Sequence, residues 1–190
     1  MTEGAFESSS PAIATYDREG RFGRIYEEHF SDVYAYFLRR ADPGDVGDLV
    51  SEVFLVVWRR MEDVPAGSQE RLWIYGVARR IAGQHQRSIR RRARLSLRAE
   101  QDVALRSSEG HGGIESNVAE VLDRLRPRDR ELVKLLVWDG LTREEAASVL
   151  GCSVNAVGIR WHRSLKQIRR KLGLTDDSDG PEGETRSGGT

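Results

Sequence analysis

Residues 142–172, TREEAASVLGCSVNAVGIRWHRSLKQIRRKL, decide the fold of the C-terminal half. Thr142 and Glu145 have the spacing of a capping box, in which each side chain accepts a hydrogen bond from the other residue's amide, so a helix should begin here. Gly151 suits the left-handed residue that ends such a helix, and Ser153 can cap the next one. A short helix, a glycine-containing turn and a longer basic helix together predict a helix-turn-helix, whose second helix enters the major groove of DNA.

The second helix of this motif carries the candidates for contact with duplex DNA. If Val157 and Trp161 face the core, the polar side chains on the other faces can reach base edges and phosphates. The candidates are Ser153, Asn155, Ile159, Arg160, Arg163 and Lys166. On this motif alone, an ordinary helical hairpin with a solvated basic face stays open as an alternative.

Apolar residues at helical spacing predict helices along the rest of the chain, and the fold class is therefore all-α. The first helix, over 21–40, is expected to bury an aromatic-rich face. That face consists of Phe22, Tyr26, Phe30, Val33, Tyr34, Phe37 and Leu38. Further helices are predicted at about 45–61 and 70–92, and two more should begin near Asn117 and at Pro127.

The composition changes sharply between these helical segments. Residues 96–116 are rich in Ser, Glu and Gly, which is typical of a flexible linker. We therefore predict two small helical domains, at 21–95 and 117–174, joined by that linker. The leader at 1–20 and the acidic tail at 175–190 are expected to be disordered.

The formal net charge is zero, but it is the sum of unlike segments. Nine arginines and no acidic residue lie between positions 71 and 98, and six Lys or Arg and no acidic residue lie between 154 and 174. Nine acidic residues against five arginines lie between 24 and 63. This distribution indicates two kinds of partner, one polyanionic and one not.

Several classes of protein are disfavoured. Cys152 is the only cysteine, and the four histidines lack metal-ligand spacing, so neither a disulfide nor a metal site is expected. No signal peptide or stretch of ~20 apolar residues is present, which predicts a cytoplasmic protein without membrane insertion. The carboxylates and the basic run lie on different predicted helices, which argues against a metal-dependent nuclease or nucleotidyltransferase. No cofactor and no small-molecule substrate are expected.

Several motifs carry a resemblance to a known family. The C-terminal ones resemble sigma region 4 of bacterial RNA polymerase sigma factors: RLRPRDREL at 124–132, GLTREEAA at 140–147, SVNAV at 153–157 and RWHR at 160–163. In the N-terminal half, DVGDLVSEVFLVVW at 45–58 resembles region 2.2, and WIYGVARRIA at 73–82 resembles regions 2.3 to 2.4. The short linker, where larger sigma factors carry a third domain, indicates the extracytoplasmic-function (ECF) subgroup.

The resemblance implies a non-enzymatic subunit that directs promoter-specific transcription initiation. The partners would be promoter DNA and core RNA polymerase, through its largest-subunit clamp helices and its flap. The helix-turn-helix candidates would read the minus-35 element, and the loop at 61–69 would capture a flipped minus-10 base. The implied minus-10 residues are Trp73, Arg79, Arg80, Gln84, Arg87 and Arg91. The implied polymerase-binding residues are Asp45, Asp48, Glu52, Phe54 and Trp58.

Some alternatives stay open at this level. Trp73 and Tyr75 are candidates for stacking on bases, but an indole at helical spacing among apolar residues is also typical of a core position. A stand-alone helix-turn-helix regulator, binding DNA as a dimer, is the main rival function. An anti-sigma factor is a further partner that the resemblance allows.

Overall fold

The structure is a computed structural model that describes residues 11–99 and 120–172, with side chains for 17–94 and 120–172. The regular elements within these ranges are helices, as predicted. They are α1 (Pro11–Leu38), α2 (Val46–Arg59), α3 (Ser68–Ala99), α4 (Pro127–Val137), α5 (Arg143–Leu150) and α6 (Val154–Lys171), with 3-10 turns at Pro43–Asp45 and Met61–Asp63. The described residues 120–123 are also helical, in the region where a helix is predicted to begin near Asn117. Among the described helices, none combines the length and apolar character needed to cross a bilayer.

Helices α1 to α3 pack into an N-terminal bundle, which we call the first unit. Phe37, Val53 and Val57 have no exposed surface at its centre, and Ile74 of α3 is 1% exposed. Fully burying a side chain of this size contributes about 1.5–3 kcal/mol relative to leaving it in water. The apolar spacing of α2 therefore positions that helix between α1 and α3.

The predicted aromatic face of α1 is only partly buried. Tyr26 and Tyr34 are each 40% exposed and Phe30 is 36% exposed. The buried line of the helix contains Ile25, His29, Val33 and Phe37. It lies one residue, or about 100°, around the helix from Tyr26, Phe30 and Tyr34. The predicted face was therefore right for Val33 and Phe37 but missed Ile25 and the polar His29, which interrupts the apolar pattern.

The C-terminal helices form the predicted helix-turn-helix, which we call the second unit. Both capping-box bonds are present: the Thr142 amide donates to Glu145 Oε2 at 2.8 Å, and the Glu145 amide donates to Thr142 Oγ1 at 3.2 Å. Gly151 ends α5 with φ of 65°, and the Ser153 hydroxyl accepts from the Ala156 amide at 3.2 Å. The local signals therefore predicted both helix starts and the turn correctly.

The two units pack against each other, in what we call the closed arrangement. Asp139, whose side chain is fully buried, contacts Arg40 at 2.6 Å and Arg39 at 2.5 Å. Arg40, 2% exposed, also contacts Glu131 at 3.1 Å. One apolar cluster continues through this interface and includes Leu72 of the first unit together with residues of α4 and α5.

Two boundaries differ from the predicted ones. Helix α1 begins at Pro11, before the predicted start at residue 21, so the leader is shorter than predicted. Helix α3 continues to Ala99, beyond the predicted end at residue 92. The remainder of the predicted leader and most of the predicted linker and tail lie outside the described residues.

Candidate nucleic-acid and polymerase interface

Helix α6 presents one continuous face to solvent, formed by three polar side chains and Ile159. Asn155, Ile159, His162 and Lys166 are all exposed and follow one another at intervals of four, three and four residues. This spacing places them along one side of the helix. Arg143 of α5 lies beside this face and helps to line a shallow depression of about 500 Å³. The face has the form of a surface that could enter a DNA groove.

The other predicted α6 residues lie at the margins of this face. Arg160 is half-buried and lines a cavity of about 360 Å³ together with Arg79 of the first unit. Arg163 donates to Asp129 at 3.3 Å, and the Ser153 hydroxyl caps the helix.

Sequence reasoning did not select His162 and Arg143 as candidate contacts. The seven-residue interval from Asn155 to His162 was a usable signal, because residues i and i+7 share a helix face. Arg143 follows the cap of α5 directly, so only the angle between α5 and α6 brings it beside α6.

Helix α3 presents a second cationic face. Arg80, Gln84, Arg87 and Arg91 are exposed, at the same intervals of four, three and four residues. Exposed guanidinium groups in a row suit the phosphates of a nucleic-acid backbone. Arg79 is half-buried and points toward the cavities between the two units.

The two aromatic candidates for base stacking differ in accessibility. Tyr75 is only 3% exposed, and burial raises its pKa to about 12. Its ring meets Tyr36 edge-on at 5.7 Å between centroids, so Tyr75 is a core residue and was wrong as a stacking candidate.

Trp73 is half-buried and packs against the core. It also helps to line a cavity of about 550 Å³ between α3 and the end of α5. Arg60 lies over the indole, with its guanidinium carbon 5.7 Å from the ring centroid. Both predicted roles of Trp73 are compatible with this position.

Two side chains of the predicted capture loop, residues 61–69, are buried and attach it to the bundle. Met61 and Val64 are buried, whereas Glu62, Asp63 and residues 66–69 are exposed. Gly67 has φ of 69°, a left-handed conformation that favours glycine. The exposed part of the loop is therefore held in place by two buried side chains.

A buried carboxylate follows the loop at the start of α3. Both oxygens of Glu70 accept hydrogen bonds from Arg24, at 2.7 and 3.1 Å, and His29 Nε2 lies 3.0 Å from Glu70 Oε1. The hydrogen bonds from Arg24 hold the pKa of Glu70 below its usual range. Glu28, His29 and Glu70 place metal-ligand atoms within 4.8 Å of one another, but a cation there would have to compete with Arg24 for Glu70.

This cluster predicts a loss of stability in acid. A carboxyl with a lowered pKa in the folded state stabilises the fold above its usual pKa of 4.5, and that contribution is lost as the pH falls below it. In Glu70→Gln, the fall in unfolding free energy between pH 7 and pH 3 should be smaller than in the wild type by on the order of 1 kcal/mol. Urea denaturation at both pH values measures the difference. The exposed Glu27→Gln is the control, and an equal fall in all three proteins would contradict this role of Glu70.

An anionic and aromatic surface lies on α1 and α2. Asp48 and Glu52 are exposed on α2, and Leu55, one turn further along, is 45% exposed. On α1, the rings of Phe22, Tyr26, Phe30 and Tyr34 form a line that we call the ring ladder; neighbouring ring centroids are 5.2 to 6.1 Å apart.

Three of the predicted polymerase-binding residues are less accessible. Asp45 Oδ2 lies 3.2 Å from His85 Nε2. Phe54 is 3% exposed beneath the ring ladder, so its side chain supports that surface from below. Trp58 is half-buried, with the Arg18 guanidinium 4.8 Å from its ring centroid.

Comparison with known proteins finds relatives that are RNA polymerase sigma factors. The family model "Sigma-70, region 4" matches residues 116–168. The ECF RNA polymerase sigma factor SigF of Caulobacter vibrioides is 32% identical over 145 residues, which cover 75% of this chain and 80% of SigF. The ECF RNA polymerase sigma factor BldN of Streptomyces coelicolor is 30% identical over 162 residues, which cover 80% of this chain and 60% of BldN.

Solved structures share the fold. CnrH, in complex with the cytosolic domain of CnrY, matches with a TM-score of 0.60 and 25% identity, covering 83% of this chain and 91% of the matched chain. The sigma factor RpoE of Bartonella quintana, in complex with the anti-sigma factor NepR, matches with a TM-score of 0.58 and 18% identity, covering 84% of this chain and 99% of the matched one. The second match supports the fold alone.

Proposed function

This chain belongs to the ECF RNA polymerase sigma factors, and we propose that it directs core polymerase to promoters by contacting both promoter elements. In this proposal, α6 reads the minus-35 duplex through Asn155, Ile159 and Lys166, with Ser153, Arg160 and Arg163 at the margins. Helix α3 and the loop at 61–69 hold the minus-10 strand. In this proposal the polymerase, not this chain, catalyses RNA synthesis. The proposed function also implies a cytoplasmic location.

One observation carries this proposal: the cationic and anionic surfaces are separated on different helices of the first unit. The exposed cations of α3 suit DNA, whereas Asp48 and Glu52 on α2 would repel it. The ring ladder of α1 adds an exposed aromatic surface on the same unit, and aromatic residues are enriched in protein interfaces. We propose that the α2 carboxylates dock on the clamp helices of the largest polymerase subunit and that the ring ladder contributes to polymerase binding.

A stand-alone DNA-binding regulator would explain α6 but not the first unit. Such a protein needs a dimer surface and one DNA reader, whereas this chain carries a second cationic face and an anionic one. The relatives also favour a sigma factor over an enzyme. We propose an anti-sigma factor as a further partner, as the family resemblance allows; CnrH was itself solved in complex with a second protein, the cytosolic domain of CnrY.

Mobility-shift assays with and without core polymerase test the proposed function. We expect the isolated protein to bind promoter DNA weakly. In the closed arrangement Arg79 of α3 and Arg160 of α6 line one cavity, whereas the two elements lie about 25 base pairs apart, which is about 85 Å at about 3.4 Å per base pair. Adding core polymerase should produce a sequence-specific complex. Tight, specific binding by the isolated protein, unchanged by core polymerase, would favour the stand-alone regulator instead.

A further inference from the structure

Three arginines of α1 reach across to the segment that connects α2 and α3. Arg18, Arg21 and Arg24 follow one another at intervals of three residues, so they lie on neighbouring turns of one side of the helix. Arg18 Nη2 donates to the Trp58 carbonyl at 2.6 Å. Arg24 pairs with Glu70, at the other end of the segment. The capture loop therefore lies between two fixed ends.

Arg21 holds the loop itself. Its Nη1 donates to the Met61 carbonyl at 3.1 Å, and its Nη2 donates to the Val64 carbonyl at 2.5 Å. These carbonyls flank Glu62 and Asp63, which are exposed. Hydrogen bonds from a charged donor are about twice as strong as neutral ones, and a guanidinium can hold two acceptors in a fixed geometry. One side chain thus fixes the backbone on both sides of the exposed turn.

Apart from the buried Met61 and Val64 side chains and the Arg60–Asp63 ion pair, the loop is held by local hydrogen bonds. Its own backbone bonds are short-range ones, from Asp63 N to Arg60 O, from Val64 N to Met61 O and from Glu70 N to Gly67 O. Residues 66–69 are exposed and include the left-handed Gly67. A pocket that discriminates among bases must be held to within a fraction of an ångström. Contacts from α1 supply that constraint.

We propose that Arg21 is a positioning residue for base selection, supported by Arg18 and Arg24 on either side. It does not touch DNA; it fixes the loop at 61–69 in the shape that accepts one flipped base and rejects the others. This inference rests on the proposed function, because it presumes that the loop captures a minus-10 base. It assigns to α1, which carries none of the family motifs identified above, a part in promoter selectivity.

The test measures selectivity rather than stability. Core polymerase is saturated with wild-type protein, Arg21→Ala or Arg21→Lys, and binding is followed by the anisotropy of fluorescent single-stranded oligonucleotides. The oligonucleotides carry the minus-10 element selected in vitro by the wild-type holoenzyme, or that element with each base replaced in turn. The control variant is Glu19→Ala, an exposed residue on the same helix. Binding of a minus-35 duplex is measured in parallel.

We expect Arg21→Ala to lower the discrimination between the selected and replaced bases by about ten-fold, because two charge-assisted hydrogen bonds are lost. Arg21→Lys keeps the charge but not the two-pronged geometry, and it should lower discrimination by about three-fold. Affinity for a strand of unrelated sequence and for the minus-35 duplex should change by less than about two-fold, since the arginines of α3 and the face of α6 remain. Glu19→Ala should resemble the wild type.

Equal discrimination by wild type and Arg21→Ala would overturn the inference. If Arg21→Ala does not fold, as judged by circular dichroism, Arg21→Lys decides, and wild-type discrimination by that variant would overturn it equally. A wild-type holoenzyme that selects no minus-10 sequence would contradict the proposed function and remove the premise of the inference. That failure is visible before any variant is made.

Discussion

Replacing Arg40 with alanine should separate the two units of the free protein. Arg40 is 2% exposed and contacts the fully buried Asp139 at 2.6 Å and Glu131 at 3.1 Å. Removing one partner of a buried ion pair typically costs about 3–5 kcal/mol when the remaining charge is left without a partner. Because Asp139 keeps its contact with Arg39, we expect a cost near the lower end, about 3 kcal/mol, which would shift the equilibrium away from the closed arrangement by about two orders of magnitude.

Small-angle X-ray scattering of the free protein measures this change. The radius of gyration should increase in Arg40→Ala, and Asp139→Ala, on the other unit, should produce the same increase. The exposed Arg59→Ala should leave it unchanged. If Arg40→Ala and Asp139→Ala remain as compact as the wild type while both stay helical, the ion pairs do not hold the units together.

Opening should also affect promoter binding. Because the closed arrangement holds the two proposed readers side by side, only open protein can contact both promoter elements, and the apparent dissociation constant equals the intrinsic one divided by the fraction of open protein. Arg40→Ala should therefore form promoter complexes with core polymerase at lower protein concentration than the wild type.

The second prediction concerns which unit binds the minus-35 duplex and which binds core polymerase. Arg160→Ala should weaken binding to the minus-35 duplex without affecting core binding, and Asp48→Ala should do the reverse. Loss of a guanidinium that contacts a base costs about 1–3 kcal/mol, whereas loss of one that contacts a phosphate lowers the salt slope of binding by about one unit. The salt dependence of Arg160→Ala binding to the duplex therefore also shows which kind of contact is made.

Titration of labelled core polymerase and of minus-35 duplex by both variants measures the two effects. Each variant serves as the control for the other, and Asp42→Ala, an exposed carboxylate outside the α2 surface, controls for charge alone. Reversed phenotypes would contradict the assignment of surfaces. Loss of both activities in one variant would indicate unfolding, which thermal denaturation detects.

Local signals in the sequence were sufficient to predict the helix-turn-helix. Thr142, Glu145, Gly151 and Ser153 each act on backbone within a few residues, so their roles can be predicted without knowledge of the fold. The cationic face of α3 could also be predicted from the sequence, because its residues recur at helical spacing and the segment is rich in arginine.

Long-range contacts could not be predicted in this way. Arg40 and Asp139 are 99 residues apart, and nothing near either one indicates the other. The early start of α1 has a similar origin, since Arg18 and Arg21 bond to carbonyls 40 or more residues away. Tyr75 was misassigned because an aromatic residue in a basic helix suits both a core and a stacking role, and only packing against Tyr36 decides between them.

Transcription in vitro from a promoter library, with purified core polymerase and this protein, tests the sigma-factor assignment most directly. We expect RNA whose 5′ ends map downstream of a shared pair of elements, at the minus-35 and minus-10 positions, and only when this protein is present. Core polymerase that starts no specific RNA in its presence, under conditions in which another sigma factor supports initiation, would contradict the central claim.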